Sequence, residues 1–73
     1  MNEGRIDSVI VNRDHIYIFE FKMNQPAKDA IAQIKEKGYA IPYFSDGKPI
    51  TLIGINFSKK KRNIVEWLEE GMA

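Results

Sequence analysis

Two segments near the start of the chain carry the residues typical of β-strands. Residues 5–11 and 16–22 are rich in β-branched and aromatic side chains, which suit a pleated strand. The polar residues 12–15 between them predict a turn. In the second segment isoleucines alternate with aromatic residues, so both faces of the strand are apolar. This pattern predicts an interior strand that is covered on both sides.

The next segment has the spacing of an amphipathic helix. Pro26 suits the first turn of a helix, where a missing N–H leaves no hydrogen bond unmade. Small or apolar residues then recur at helical intervals at Ala27, Ala30, Ile31, Ile34 and Gly38. We therefore predict a helix over residues 26–39, which Pro42 prevents from continuing much further.

The last strongly apolar segment, residues 50–57, follows a turn at Asp46 and Gly47. It is apolar on both faces, as a central strand is. A strand, a helix and a second central strand form a right-handed crossover, which makes the two strands parallel. The predicted fold class is therefore α/β, with a mixed sheet built from an antiparallel hairpin, a crossover helix and a parallel strand.

The tail of the chain, residues 63–70, fits two structures. Its apolar positions suit one face of a helix, and they equally suit an edge strand that returns from residue 57. We favour the strand. In either structure Trp67 is expected to fill part of the core.

Composition places the chain in a broad class. It has 73 residues, of which 44% are hydrophobic and 29% charged, and no cysteine. These values predict one small folded domain and exclude thiolate metal sites and cysteine catalysis. No apolar run approaches the length of about 20 residues that a membrane span needs, and the first residues lack a signal-peptide pattern. We expect a cytoplasmic protein that does not bind membranes.

Charge adds one local feature. The formal net charge is only +1, far from that of a strongly basic nucleic-acid binder. One run is nevertheless basic: Lys59, Lys60, Lys61 and Arg62. A solvated loop is the simpler interpretation, and contact with the phosphates of a nucleic acid is the functional one.

The register of the first hairpin brings two carboxylates together. If the turn is centred between Arg13 and Asp14, the numbers of opposed residues add up to 27 and Asp7 faces Glu20. Two like charges in such a pair destabilise a sheet, so something must compensate. Lys22 and Arg5 could neutralise them in a salt-bridge cluster. Alternatively, a divalent cation such as Mg²⁺ lies between the carboxylates with Lys22 beside it, which is the chemistry of phosphodiester hydrolysis.

These residues also resemble a known family. Asp7, followed by Glu20-Phe21-Lys22 at the end of an apolar strand, is similar to the Asp…Glu-x-Lys signature of the PD-(D/E)XK nuclease superfamily. Residues 33–40 and 52–57 resemble the nuclease-like domain at the C-terminal end of bacterial AAA-ATPase-like proteins. The resemblance covers about residues 4–67. It implies a restriction-endonuclease-like fold, Mg²⁺ or Mn²⁺ as cofactor, and DNA in preference to RNA as substrate.

The resemblance also assigns roles to single residues. Asp7 and Glu20 would be metal ligands, with the backbone carbonyl of Phe21 as a third, and Lys22 would be the catalytic lysine. The accessory candidates are Gln33, Lys37 and Tyr39. For Gln33 a polar position on the flank of the helix is the simpler interpretation, and for Tyr39 an aromatic residue at the edge of the core. His15 is expected to be a solvent-facing turn residue.

The chain departs from the superfamily at its start. Members normally begin with a helix and a further strand, which are missing before Asp7. Residues 1–73 are therefore expected to be a single domain that either is cut from a longer protein or has its exposed edge covered by another molecule. The resemblance implies that the longer protein carries an ATPase domain. A small sheet with an uncovered edge is also expected to form a homo-oligomer.

Three functions stay open from the sequence. The first is a metal-dependent nuclease. The second is an inactive interaction or regulatory module of an ATPase-containing protein. The third is a passive nucleic-acid binder that uses the basic run.

Overall fold

A computed structural model describes residues 8–72 as one four-stranded sheet with a helix on one face. The elements in chain order are β1 (Ser8–Val11), β2 (Ile16–Met23), α1 (Ala27–Lys37), a 3₁₀ helix (Ile41–Asp46), β3 (Ile50–Ser58) and β4 (Asn63–Met72). The strands lie side by side in chain order. β1 with β2 and β3 with β4 are antiparallel, and β2 with β3 is parallel. The predicted mixed α/β sheet is confirmed.

The first hairpin keeps the predicted register. Val11 pairs with Ile16 and Val9 with Ile18, so the paired residue numbers add up to 27. The Asn12 side chain fixes the turn, because its Oδ1 accepts the backbone N–H groups of Asp14 and His15 at 2.9 and 2.8 Å. The first three residues of the predicted strand over residues 5–11, and the predicted pair of Asp7 with Glu20, lie outside the described residues.

The helix α1 is shorter than predicted at both ends. Pro26 is the residue before the helix, with an extended ψ of 145°, rather than part of its first turn. Gly38 ends the helix in the left-handed conformation, with φ of 68°. Its N–H donates to the Lys35 carbonyl, as is common where glycine ends a helix. The 3₁₀ helix that follows, and that contains Pro42, was not predicted.

One face of the sheet packs against α1 and forms the core. The buried cluster consists of Ile16, Ile18, Ile31, Ile34, Ala40, Ile50 and Leu52. The opposite face of β2 is only partly covered within residues 8–72, since Phe21 is 45% exposed. β2 is thus an interior strand, as predicted, but the prediction that both of its faces are covered does not hold for the described part of the chain.

The tail forms β4 and pairs with β3, so the choice of a strand is confirmed. Trp67 is 63% exposed, and the prediction that it fills the core is wrong. Glu66 and Glu70 both reach α1. Alternation along the strand therefore turns Trp67 to the other face of the sheet, where no element of residues 8–72 lies over it.

Candidate active site

Glu20 and Lys22 lie on the face of β2 that packs against α1. They share this face because side chains two residues apart along a strand point the same way. Glu20 is 4% exposed and is the buried charged residue of the described part of the chain. Burying a carboxylate costs free energy unless hydrogen bonds compensate for the lost water. The partners of Glu20 therefore decide what the site can do.

Gln33 of α1 links Glu20 with Lys22. Its Nε2 donates to Oε2 of Glu20 at 2.9 Å, and its Oε1 accepts from Nζ of Lys22. This orientation of the amide matches its two partners, since a carboxylate oxygen accepts hydrogen bonds and a lysine ammonium group donates them. The three side chains form a continuous chain of hydrogen bonds from the Lys22 ammonium group to the Glu20 carboxylate. Gln33 thus lies at the flank of the helix and also joins the two motif residues.

Gly54 allows α1 to lie this close to the sheet. It pairs with Glu20 across β2 and β3. A Cβ atom at this position would lie 2.4 Å from the Ala27 carbonyl oxygen and 3.0 Å from the Ala30 Cβ. Because Gly54 has no side chain, α1 can pack directly against the backbone of β3. An isolated glycine within a strand pattern is a known signal of such a close approach, but the sequence reasoning did not use it.

Two further polar residues lie on the same face of the sheet. Asn56 of β3 pairs with Lys22 on one side and with Glu66 of β4 on the other. Glu66 Oε1 accepts the backbone N–H of Ala27 at 2.8 Å, so a strand carboxylate caps the start of α1. The Asn56 Oδ1 atom is buried and has no hydrogen-bond partner within residues 8–72. No local sequence signal reveals either residue, because both depend on pairing between strands.

The other predicted site residues are not brought to this cluster. Lys37 is exposed in the last turn of α1, and Tyr39 packs against the core with its hydroxyl buried. In the described part of the chain, neither forms a hydrogen bond with Glu20 or Lys22. Phe21 lies between those two in β2, and its side chain points to the opposite face. Asp7, the second predicted metal ligand, lies outside the described residues.

His15 is not a solvent-facing turn residue, so that prediction is wrong. Its Nε2 lies 2.6 Å from Oγ1 of Thr51, and its ring stacks on Tyr17 with the ring centroids 4.5 Å apart. The parallel pairing of β2 with β3 creates this contact by placing Thr51 beside Tyr17. The three side chains lie on the face of the sheet away from α1.

The basic run Lys59, Lys60, Lys61 and Arg62 forms the exposed turn between β3 and β4. Asn24, which follows β2, anchors this turn. Its N–H donates to the Phe57 carbonyl at 2.8 Å, and its Oδ1 accepts the Lys59 N–H at 3.0 Å. The basic turn is therefore fixed at the end of the sheet where β2 carries Lys22.

The oxygen donors at the site suit a hard cation. Mg²⁺ is typically held by one or two carboxylates, and water completes its coordination. Glu20 supplies one carboxylate on the described part of the chain, and the predicted second one, Asp7, is outside it. No group of three or more His, Cys, Asp or Glu residues that could hold a metal occurs within residues 8–72. The Glu20 carboxylate is a donor of the type that Mg²⁺ and Mn²⁺ use, but residues 8–72 alone do not form a complete metal site.

Comparison with known proteins agrees with this geometry. A mixed sheet that carries Glu-x-Lys near the end of a strand is consistent with the class of nuclease-like proteins, and residues 1–67 match the PD-(D/E)XK nuclease superfamily. The chain belongs to this superfamily, and its α/β sheet is consistent with the restriction-endonuclease-like fold.

One curated relative comes from Azotobacter chroococcum mcd 1 and is named "Uncharacterized protein in vnfD 5′ region". It is 41% identical over 73 residues, which cover 97% of this chain and 14% of the relative. The chain thus spans about one seventh of the length of that protein. No solved structure matches the present chain. Within residues 8–72, no helix has the length and apolarity needed to cross a membrane.

Proposed function

We propose that this domain hydrolyses phosphodiester bonds with the help of a divalent cation, and that it acts on DNA in preference to RNA. The observation that carries the proposal is the chain of hydrogen bonds from Lys22 through Gln33 to Glu20. The Gln33 amide lies between the two groups and holds the carboxylate and the ammonium group on one face of the sheet.

Each residue has a distinct role in this proposal. Glu20, Asp7 and the backbone carbonyl of Phe21 would hold Mg²⁺ or Mn²⁺, which when bound lowers the pKa of a coordinated water and stabilises charge on a phosphate. Gln33 fixes the orientation of the Glu20 carboxylate. Lys22 keeps its ammonium group beside that carboxylate, where it can orient the attacking water and neutralise negative charge that develops on the phosphate.

The basic turn supports nucleic acid as the substrate. Residues 59–62 present four cationic side chains at the end of the sheet that carries Lys22. Cations beside a catalytic site bind the flanking phosphates without reading the sequence. Because the net charge is only +1, binding by this turn alone should be weak and sensitive to salt.

We further propose that the domain works in the cytoplasm as part of a longer protein with an ATPase domain. The relative of which this chain covers only 14% supports a longer parent. A second candidate function follows from the same hydrogen bonds. Gln33 provides partners for both Glu20 and Lys22 from the protein itself, which would also suit an inactive interaction or regulatory module attached to an ATPase.

Substitution of Lys22 separates the two functions. In the nuclease, Lys22→Ala should reduce cleavage of DNA by the intact parent protein by about a hundredfold or more. Its affinity for Mn²⁺ should stay unchanged or rise, because a nearby positive charge opposes cation binding. In the inactive module the main effect is a loss of stability, of a few kcal/mol at most. Cleavage of single- and double-stranded substrates, calorimetric titration with Mn²⁺ and thermal unfolding measure these effects.

Lys28→Ala is the matched control, because Lys28 is an exposed lysine of α1 that makes none of these contacts. It should change neither cleavage nor melting temperature. The nuclease proposal fails if the intact wild-type protein cuts no DNA or RNA with either Mg²⁺ or Mn²⁺.

A further inference from the structure

Lys22, Asn56 and Glu66 form a row across three strands at the candidate active site. Asn56 of β3 pairs with Lys22 of β2 on one side and with Glu66 of β4 on the other. Neighbouring strands of a sheet lie about 4.7–4.9 Å apart, so the side chain of Asn56 stands between a cation and a carboxylate. The row lies on the face of the sheet that packs against α1, since Glu66 accepts the N–H of Ala27.

The two neighbours of Asn56 are already bonded to α1. Lys22 donates to Gln33, and Glu66 accepts the Ala27 N–H. The Oδ1 atom of Asn56, in contrast, is buried and has no hydrogen-bond partner within residues 8–72. A buried acceptor without a partner costs free energy, and in a native protein such an atom calls for an explanation such as a role in catalysis.

The chemistry of the neighbours selects the partner of this oxygen. Oδ1 of Asn56 only accepts hydrogen bonds, and the Glu66 carboxylate also only accepts them. An ammonium group has three donors, of which Lys22 uses one on Gln33 in the described part of the chain. Lys22 is therefore the strand neighbour that can satisfy Oδ1, and the Nδ2 group of Asn56 is left to donate to Glu66.

A β-bulge marks the same position of the sheet. The register of β4 against β3 shifts between Asn56 and Phe57. Asn56 pairs with Glu66, but the next residue of β3 pairs with Ile64. Val65 is thus an extra residue in β4. Bulges are frequent beside active sites, where they redirect a side chain. This bulge comes directly before Glu66 and sets which side chain of β4 stands beside Asn56.

We propose that Asn56 is a positioning residue, which accepts a hydrogen bond from the Lys22 ammonium group and donates one to the Glu66 carboxylate. This role rests on the proposed nuclease function, in which Lys22 orients the attacking water. Lys22 then lies between two amides, Gln33 of α1 and Asn56 of β3. Acceptors on two different elements restrict the ammonium group more than one acceptor does, which favours the single orientation that catalysis needs.

Substitution of Asn56 by valine and by threonine provides a matched pair. The two new side chains have nearly the same shape, but only the threonine hydroxyl can accept a hydrogen bond from Lys22 and donate one to Glu66. In the intact parent protein with Mg²⁺ or Mn²⁺, Asn56→Val should lower kcat for DNA cleavage about tenfold or more. KM should stay nearly unchanged, because Asn56 acts on Lys22 rather than on the substrate. Asn56→Thr should restore much of the lost rate.

Acetylation of lysines measures the same contact without relying on cleavage. A hydrogen bond that an ammonium group donates stabilises its charged form, so loss of the bond makes the amine more reactive. Competitive labelling of the intact parent protein, quantified by mass spectrometry, should therefore show several-fold faster acetylation of Lys22 in Asn56→Val than in Asn56→Thr. Lys28, an exposed lysine of α1, is the reference in each sample.

Thr51→Val is the control, because it removes a hydrogen bond to His15 from the opposite face of the same strand. It should change neither kcat nor the acetylation of Lys22. If the valine variant of Asn56 does not fold, Asn56→Ala and Asn56→Ser give the same contrast with smaller side chains.

Two results separate failure of this role from failure of the nuclease proposal. An active wild-type protein whose valine and threonine variants cut DNA equally fast and label equally at Lys22 would overturn the role of Asn56 alone. A wild-type protein that cuts no DNA or RNA would overturn the nuclease proposal and the positioning role together, and a labelling difference between the variants would then support only the contact of Asn56 with Lys22.

Discussion

Substitution of Gly54 by alanine should both destabilise the domain and disturb the candidate active site. The added Cβ would lie 2.4 Å from the backbone oxygen of Ala27. Ordinary contact between such atoms begins at about 3.4 Å, so the start of α1 must move away from β3 by about 1 Å. A backbone oxygen cannot turn aside as a side chain can, and the whole first turn of the helix has to shift.

The size of the effect follows from the packing. Adding a methyl group to a filled core costs about 1–3 kcal/mol. A domain of 73 residues has a free energy of unfolding of about 4–11 kcal/mol in total, so this loss is a large fraction of it. A loss of about 2 kcal/mol lowers the melting temperature of so small a domain by about 8–16 °C. Where the helix moves as one rigid body, the same shift also lengthens the hydrogen bond from Gln33 to Glu20, now 2.9 Å.

Urea and thermal unfolding, followed by circular dichroism, measure this loss. Gly71→Ala is the matched control, because a Cβ at Gly71 of β4 has no atom within 4 Å. That variant should unfold within about 0.5 kcal/mol of the wild type. If Gly54→Ala were as stable as Gly71→Ala, the close approach of α1 to β3 described above would be incorrect.

Three further substitutions test separate features. Glu66→Ala removes the acceptor for the Ala27 N–H. It should lower the free energy of unfolding, measured with urea, by about 1 kcal/mol, and an unchanged unfolding midpoint would show that the cap is not formed. Gly38→Ala forces alanine into a φ of 68° and a Cβ to 2.8 Å from Ile41 Cδ1. It should cost about 1 kcal/mol or more, whereas a gain in stability would contradict the left-handed helix end. Trp67→Ala should cost less than about 1 kcal/mol of monomer stability, and iodide should quench the fluorescence of this single tryptophan. A loss of several kcal/mol would instead indicate that Trp67 is part of the core.

Sequence patterns correctly predicted the parts of the fold that depend on residues close together in the chain. The polar residues 12–15 and the alternation on either side fixed the first hairpin and its register, because a hairpin turn sets which residues face each other. The helical spacing of Ala27, Ala30, Ile31 and Ile34 identified the buried side of α1. The Glu20 and Lys22 pair on one face of β2 also followed from alternation alone.

The errors arose where distant segments meet. The prediction that Trp67 fills the core is wrong because its burial depends on which face of β4 turns to α1. His15 gained its partner only because parallel pairing placed Thr51 beside it. The cap at Ala27 depends likewise on Glu66, a residue 39 positions away. No pattern within a short window contains this information.

The order of the strands has a consequence for how the chain folds. β1 with β2 and β3 with β4 are each joined by a short turn, whereas the central pairing joins Ile16 to Ile50, 34 positions further along the chain. The two hairpins can form early from local contacts, but closing so long a loop costs more entropy and is slow. The slowest step of folding should therefore be the pairing of the two hairpins, β1 with β2 and β3 with β4, through the central strands β2 and β3. Lengthening the segment between Gly38 and Pro49 should slow folding while leaving the rate of unfolding nearly unchanged.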